Sequence, residues 1–163
     1  MSRTCLPSSA PPSLARSSFV LSFSMLLLAL AGCGGPVEDT LPGQPIKHRQ
    51  EAFKAMLRSF EPMGKMLRDD RYQADEFARL AAELVTLREG PWPYFTPDTL
   101  QPPTKAKAAV WEHPQDFEHE RRAFYDATDA LAQAAQTHDR SRAQAAYDKV
   151  HASCKSCHRD FRK

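Results

Sequence analysis

Apolar residues recur at helical spacing in four separate segments of this chain, and no other feature constrains the fold as strongly. In the first segment, about 46–69, steps of seven, three and four residues place six apolar side chains on one helical face: Ile46, Phe53, Met56, Phe60, Met63 and Leu67. The segments 74–88, 115–136 and 140–161 each carry a face of the same kind. No alternating pattern typical of strands competes with these four helices.

The connections between the segments indicate how the helices are arranged. Short links join the first segment to the second and the third to the fourth, whereas residues 90–104 contain five prolines and predict a loop. A short helical stretch is expected within 104–111, ahead of the third helix. Amphipathic helices of this length with short links predict an all-α fold, an antiparallel four-helix bundle.

Local signals refine the ends of the helices. Pro62 lies inside the first segment, where it removes a backbone donor and is expected to kink the helix or break it near Glu61. Gly90 and Pro91 end the second helix. Either Thr137 or Asp139 is expected to cap the start of the fourth.

The N-terminal residues predict an exported precursor. Residues 19–31 form an apolar run that is shorter than the ~20 residues needed to span a bilayer and suits the core of a signal peptide. The run leads into Leu30-Ala31-Gly32-Cys33, which resembles a lipoprotein signal in which Cys33 is lipidated; the alternative is an ordinary signal cut nearby. The sequence therefore predicts a lipoprotein signal over 1–32, a flexible tether over 33–45 and the bundle over 46–163.

The predicted cut also changes the charge of the protein. Both basic residues of the leader, Arg3 and Arg16, are removed with it, and they account for the whole formal net charge of +2. A near-neutral domain provides no argument for nucleic-acid binding. Gly34 rather than an aspartate follows the lipidation site, so we expect a periplasmic, lipid-anchored protein, with the outer membrane favoured.

A Cys-x-x-Cys-His motif lies on the apolar face of the fourth segment. Cys154 and Cys157 stand three residues apart, on the same side of a helix, and His158 follows directly. Two thiols and an imidazole at this spacing predict one haem c, attached covalently through the cysteines, with His158 as the ligand of its iron. A redox dithiol would need a βαβ context, and a structural zinc site normally needs four ligands.

Three stretches of the chain resemble cytochrome c prime, the class II c-type cytochromes. They are "CKSCHRDFRK" at the end, "RQEAFKAMLRSFEPMGKM" in the first helix, and "GPWPYFTPDT" followed by "TKAKAAVW" between the second and third helices. The resemblance covers about residues 46–163. It implies that Cys154, Cys157 and His158 bind the haem, that Arg49 and Gln50 meet its periphery, and that Arg162 lies beside its proximal face. Helical spacing independently puts Arg162 one turn after His158.

The resemblance leaves two residues as candidates for the distal side of the iron. Phe53, four residues after Arg49, matches the position where the family blocks the sixth site with an apolar side chain. Met56 is the alternative, and would make a low-spin His/Met cytochrome. We expect Phe53, because the shift that brings Met56 into place breaks the match of Arg49 and Gln50. Met56 is then a core residue.

These assignments lead to three functional hypotheses. The first is a high-spin, five-coordinate haem protein that binds nitric oxide, and also carbon monoxide, at the cell envelope. The second is an electron carrier between periplasmic redox partners, which ligation by Met56 would favour. The third is a weak peroxidase; no acid–base pair accompanies Phe53, so we do not expect an enzyme. The family also implies a possible homodimer through the first two helices.

Overall fold

The computed structural model describes residues 38–163, which form a bundle of helices. Its elements in chain order are helix α1 (Pro45–Arg68), α2 (Ala74–Leu87), two 3₁₀ turns (Trp92–Tyr94 and Pro97–Leu100), the single-turn helix α3 (Ala109–Glu112), α4 (Pro114–Gln136) and α5 (Arg140–Phe161). Four of these are long, and they follow the segments predicted from the sequence to within one or two residues. The prediction of a four-helix bundle is confirmed.

The four long helices pack around one apolar core. Neighbouring pairs are α1 with α2, α2 with α4, α4 with α5, and α5 with α1. Most of the core side chains come from the predicted apolar faces, and Ala78, Ala135 and Ala146 add to them: Met56, Phe60, Met63, Leu67, Phe77, Ala78, Leu80, Ala81, Leu84, Phe124, Leu131, Ala135, Ala143, Ala146 and Val150. No helix within residues 38–163 is long and apolar enough to cross a membrane.

Helix α1 runs without a break through Pro62, so the predicted break near Glu61 is wrong. Pro62 lies on the exposed side of the helix. The carbonyl that loses its helical partner is that of Arg58, which is also exposed, so water can bind it. Phe60 and Met63, on either side of the proline, are both buried in the core. Packing of the apolar face therefore keeps the helix intact where its local sequence disfavours it.

The start of α1 is held by a residue that lies several positions upstream. The buried carboxylate of Asp39 accepts hydrogen bonds from the amides of Ile46 (2.8 Å) and Lys47 (3.0 Å). It also accepts one from the amide of Leu41 (3.2 Å). Residues 39–44, which the sequence assigns to the tether, are thus attached to the bundle. The predicted signal over 1–32 and the lipidation site at Cys33 lie outside the described residues.

Both ends of α5 are fixed by hydrogen bonds. At its start, the carboxylate of Asp139 accepts from the amides of Ser141 (2.8 Å) and Arg142 (3.0 Å), which makes Asp139 the cap. At its end, residues 105–107 pair with residues 161–163 around an antiparallel bridge between Ala106 and Arg162. The bridge attaches the helix that carries the Cys-x-x-Cys-His motif to the loop between α2 and α4.

Candidate haem-binding site

The two cysteines of the motif lie in the last two turns of α5 as free, partly buried thiols. Burial raises the pKa of Cys154 to about 11. Burial also raises the pKa of Cys157 to about 12, and the carboxylate of Glu120 contributes to this shift. Cys154 packs against the main core, whereas Cys157 packs against a smaller cluster built on Ala106, Val110 and Phe161. The motif therefore lies where two apolar clusters meet.

His158 and Arg162 lie beside each other at the end of α5. Partial burial lowers the pKa of His158, and the positive charge of Arg162 lowers it further. A neutral imidazole keeps a nitrogen lone pair free to bind a metal. The helix ends at Phe161, however, and Arg162 has an extended backbone, although its amide still donates to the carbonyl of His158 (3.1 Å). The expected position of Arg162 one turn after His158 is therefore kept by this hydrogen bond, although Arg162 is the first residue beyond the helix.

A series of aromatic side chains extends across the bundle from α1 to α5. We call it the aromatic wall; its members are Phe53, Trp92, Phe95, Phe117 and Phe161. Ring centroids are 5.8 Å apart for Phe53 and Trp92, 6.0 Å for Trp92 and Phe117, and 5.2 Å for Phe117 and Phe161. Phe53 and Phe95 lie 6.3 Å apart, edge to face. The wall thus joins the helix that carries Phe53 to the helix that carries the cysteines.

The two distal candidates lie in different surroundings. Phe53 is partly buried and contacts Trp92 and Phe95, both outside the helices of the bundle. Met56 is only 6% exposed and belongs to the main core. Phe53 is therefore the one of the two that joins the aromatic wall.

Arg49 and Gln50 both contact the loop between α2 and α4. Arg49 is buried and donates to the carbonyl of Tyr94 (3.0 Å) and to the hydroxyls of Thr99 (3.0 Å) and Thr104 (2.7 Å). The side-chain amide of Gln50 donates to the carbonyl of Pro103 (3.3 Å). Thr99 and Thr104 were missed by the sequence analysis, because two threonines in a proline-rich loop form no recognisable pattern.

Two tryptophans fix the same loop through their indole nitrogens. Trp92 donates to the carbonyl of Arg88 at the end of α2, and Trp111 donates to the carbonyl of Phe95 (3.2 Å). Both side chains are partly buried. Both indoles thus hold the loop in place by packing and by one hydrogen bond each.

The family model described as cytochrome C' matches residues 44–162 of this chain. The chain belongs to the cytochrome c prime family. A cytochrome c prime from Halomonas halodenitrificans is 35% identical over 128 residues, a match that covers 74% of this chain and 97% of the relative. The structure of cytochrome c prime from Shewanella frigidimarina has a TM-score of 0.72 at 31% identity, covering 76% of this chain and 98% of that one.

A third cytochrome c prime, from Alcaligenes xylosoxidans, has been solved with bound gases. Its leucine-to-isoleucine variant in complex with nitric oxide has a TM-score of 0.70 at 31% identity, and covers 77% of this chain and 99% of that one. A leucine-to-glycine variant of the same protein has been solved with carbon monoxide.

Membership of the cytochrome c prime family implies a c-type haem with iron, and the residues present fit such a group. Cys154 and Cys157 are neutral, unpaired thiols on one side of a helix, next to a neutral imidazole. The aromatic wall offers flat apolar surfaces beside them. The guanidinium of Arg49 is a buried positive charge whose hydrogen bonds go to the neutral oxygens of Tyr94, Thr99 and Thr104.

Proposed function

We propose that this chain binds one haem c, with thioether bonds from Cys154 and Cys157 and with His158 as the axial ligand of iron. In forming a thioether, the sulfur of each cysteine would bond to one carbon of a haem vinyl group. The thiol hydrogen would pass to the other carbon of the same vinyl group. The bound haem would supply an iron that binds small gases and exchanges single electrons. The raised pKa values of both thiols agree with their position against apolar clusters, where the charged thiolate is disfavoured.

We further propose that Phe53 leaves the iron five-coordinate and high-spin. The observation that carries this proposal is that Phe53 is only partly buried, at the edge of the main core and against Trp92 and Phe95, whereas Met56 is buried within that core. Phe53 cannot donate a hydrogen bond, so a bound dioxygen would lack that stabilisation. Nitric oxide and carbon monoxide depend much less on a hydrogen bond from the protein. Binding of nitric oxide, and of carbon monoxide, is therefore the function that we assign.

The absorption spectrum of the reduced protein tests this proposal against the low-spin alternative. We expect a high-spin ferrous spectrum that is unchanged in Met56→Leu and in the control Met66→Leu, a methionine of the same helix. Carbon monoxide should bind to all three proteins. A low-spin spectrum that becomes high-spin only in Met56→Leu would establish a His/Met electron carrier instead.

The cellular setting and the absence of an enzymatic role are also part of the proposal. We infer a precursor that is cut before Cys33 and anchored by lipid there in the periplasm, where nitric oxide would be bound at the envelope and periplasmic proteins would exchange electrons with the haem. One acyl chain anchors only marginally, so several are needed for stable attachment. Steady turnover of peroxide by the purified protein would contradict the assignment as a non-enzyme.

A further inference from the structure

The most heavily bonded buried side chain of the site is that of Arg49. It is 4% exposed, and its recorded hydrogen bonds all go to one loop: to the carbonyl of Tyr94 and to the hydroxyls of Thr99 and Thr104. Its guanidinium also lies over the ring of Phe95, 4.3 Å from the centroid. Four positions of the loop between residues 94 and 104 are thus held by one side chain of α1.

The chemistry of this contact makes it sensitive to small changes. A buried cation is stable only when it is well hydrogen-bonded, and here the hydrogen bonds of the guanidinium all go to neutral acceptors. Each threonine hydroxyl has a second partner as well. That of Thr99 donates to the carbonyl of Thr96 (2.7 Å), and that of Thr104 accepts from the amide of Ala106 (3.0 Å). Loss of either hydroxyl would therefore loosen the loop at two points.

The loop held by Arg49 carries part of the surroundings of Phe53. Phe53 lies one helical turn after Arg49, on the same side of α1. Its neighbours in the aromatic wall, Trp92 and Phe95, belong to this loop. Trp92 is held separately by its hydrogen bond to Arg88, so movement of residues 94–104 away from α1 would remove the ring of Phe95 from Phe53.

We propose that Arg49, Thr99 and Thr104 form a latch that holds residues 94–104 closed beside Phe53 and thereby limits the rate at which small gases reach the site. Arg49 acts here as a positioning residue, and we expect its hydrogen bonds to Thr99 and Thr104 to persist in the holoprotein. The part of this inference that concerns gas entry rests on the proposed function. The part that concerns closure of the loop stands on the hydrogen bonds alone.

The test uses the full holoprotein with Thr104→Val, which keeps the shape of the side chain and removes the hydroxyl. Thr104→Ser restores a hydroxyl and serves as the rescue variant. Thr96→Val is the matched control, because Thr96 is an exposed threonine of the same loop whose hydroxyl makes no capping hydrogen bond to the 3₁₀ turn that follows it. Two quantities are measured: hydrogen exchange of the amides of residues 94–106, and the association rate of carbon monoxide after flash photolysis.

We expect exchange of these amides to rise about tenfold or more in Thr104→Val, as expected for the loss of a hydrogen bond to a charged group. The association rate of carbon monoxide should rise severalfold, and both values should return towards wild type in Thr104→Ser. Thr96→Val should change neither.

Three results would overturn the inference, each in a different part. Unchanged exchange in Thr104→Val would refute the latch, whatever the haem binds. Faster amide exchange in Thr104→Val, with a carbon monoxide association rate equal to that of Thr96→Val, would refute the proposed control of gas entry. A holoprotein structure in which Arg49 has left both threonines would refute the latch in the loaded protein. If the wild-type protein binds no carbon monoxide, the proposed function fails and the claim on gas entry with it, while hydrogen exchange still decides whether the loop is latched.

Discussion

The phenol of Tyr147 on α5 lies directly against the backbone of Gly64 on α1. A Cβ atom at position 64 would be 2.1 Å from the hydroxyl oxygen of Tyr147 and 2.8 Å from its Cζ. The ring cannot simply turn aside, because it is stacked on Phe60, with centroids 4.3 Å apart and planes within 8° of parallel. Glycine is required here because two helices approach closely.

Gly64→Ala should therefore destabilise the protein. Alanine favours a helix by about 1 kcal/mol over glycine, but overpacking typically costs ~1–3 kcal/mol, and here the clash involves a ring held on its other face. We expect a net loss of about 1–2 kcal/mol in the free energy of unfolding, measured by urea titration of the holoprotein. Tyr147→Phe removes the nearest of the three atoms that would lie within 3.0 Å of the added Cβ, so the double variant should recover part of the lost stability. A Gly64→Ala protein as stable as wild type would show that Tyr147 has room to move.

Replacing both cysteines of the motif should abolish covalent attachment of haem. We expect wild-type protein to retain its haem after denaturation, and Cys154→Ala/Cys157→Ala to lose it, as measured by haem staining of denaturing gels and by intact mass. Cys33→Ser is the matched control, because it alters a cysteine outside the motif. It should keep its haem and lose membrane attachment. Covalent haem in the double cysteine variant would contradict the assignment of these thiols.

The attachment of Asp39 to α1 should make stability depend on acid pH. Burial alone would raise the pKa of this carboxyl, but the hydrogen bonds from Lys47, Leu41 and Ile46 outweigh it and lower the pKa. A lowered folded pKa means that the stabilisation is complete above the pKa of an unfolded aspartate, about 3.9, and is lost as the pH falls through the folded value.

We therefore expect Asp39→Ala to lower the melting temperature at neutral pH and to differ less from wild type as the pH drops below about 4. Asp39→Asn retains an amide oxygen as acceptor but cannot ionise. The difference in melting temperature between this variant and wild type should therefore also become smaller in acid. The measurement is thermal unfolding of the three proteins across this pH range. A difference in melting temperature that grows in acid would mean that folding raises the pKa of Asp39 rather than lowering it.

Arg88 links the end of α2 to α4, and its loss should weaken the bundle. Its guanidinium donates to the carbonyl of Tyr125 (3.0 Å), the hydroxyl of Thr128 (2.7 Å) and the carboxylate of Asp129 (2.7 Å). Hydrogen bonds of a charged group contribute ~1.5–3 kcal/mol, so Arg88→Ala should lower the free energy of unfolding by about 2 kcal/mol. Arg79→Ala is the control: Arg79 is an exposed arginine of α2 paired with Glu76 and Glu83, and its loss should have little effect. Equal decreases in the free energy of unfolding in Arg88→Ala and Arg79→Ala would contradict the role assigned to Arg88.

Features that depend on short stretches of chain were predicted well from the sequence. The four helices, the loop over 90–104 and the capping of α5 by Asp139 all follow from spacings of a few residues. The predicted break at Pro62 failed because local propensity was outweighed by packing on the opposite face of the helix. Arg162 directly follows the predicted segment 140–161, but its pairing with the strand-like residues 105–107 was not predicted, because that contact joins positions more than 50 residues apart.

The sequence by itself determined the helical bundle and the cofactor class, because apolar periodicity and the spacing of Cys154, Cys157 and His158 are local properties of the chain. Only the tertiary structure decided which side chains meet. Arg49 finds Thr99 and Thr104 at separations of 50 and 55 residues, and Gly64 meets Tyr147 from another helix. Phe53 and Met56 share one apolar face in the sequence, yet Phe53 is partly buried against Trp92 and Phe95 of the loop, whereas Met56 is buried in the main core. Contacts of this kind depend on how helices and loops pack, which no spacing within one segment encodes.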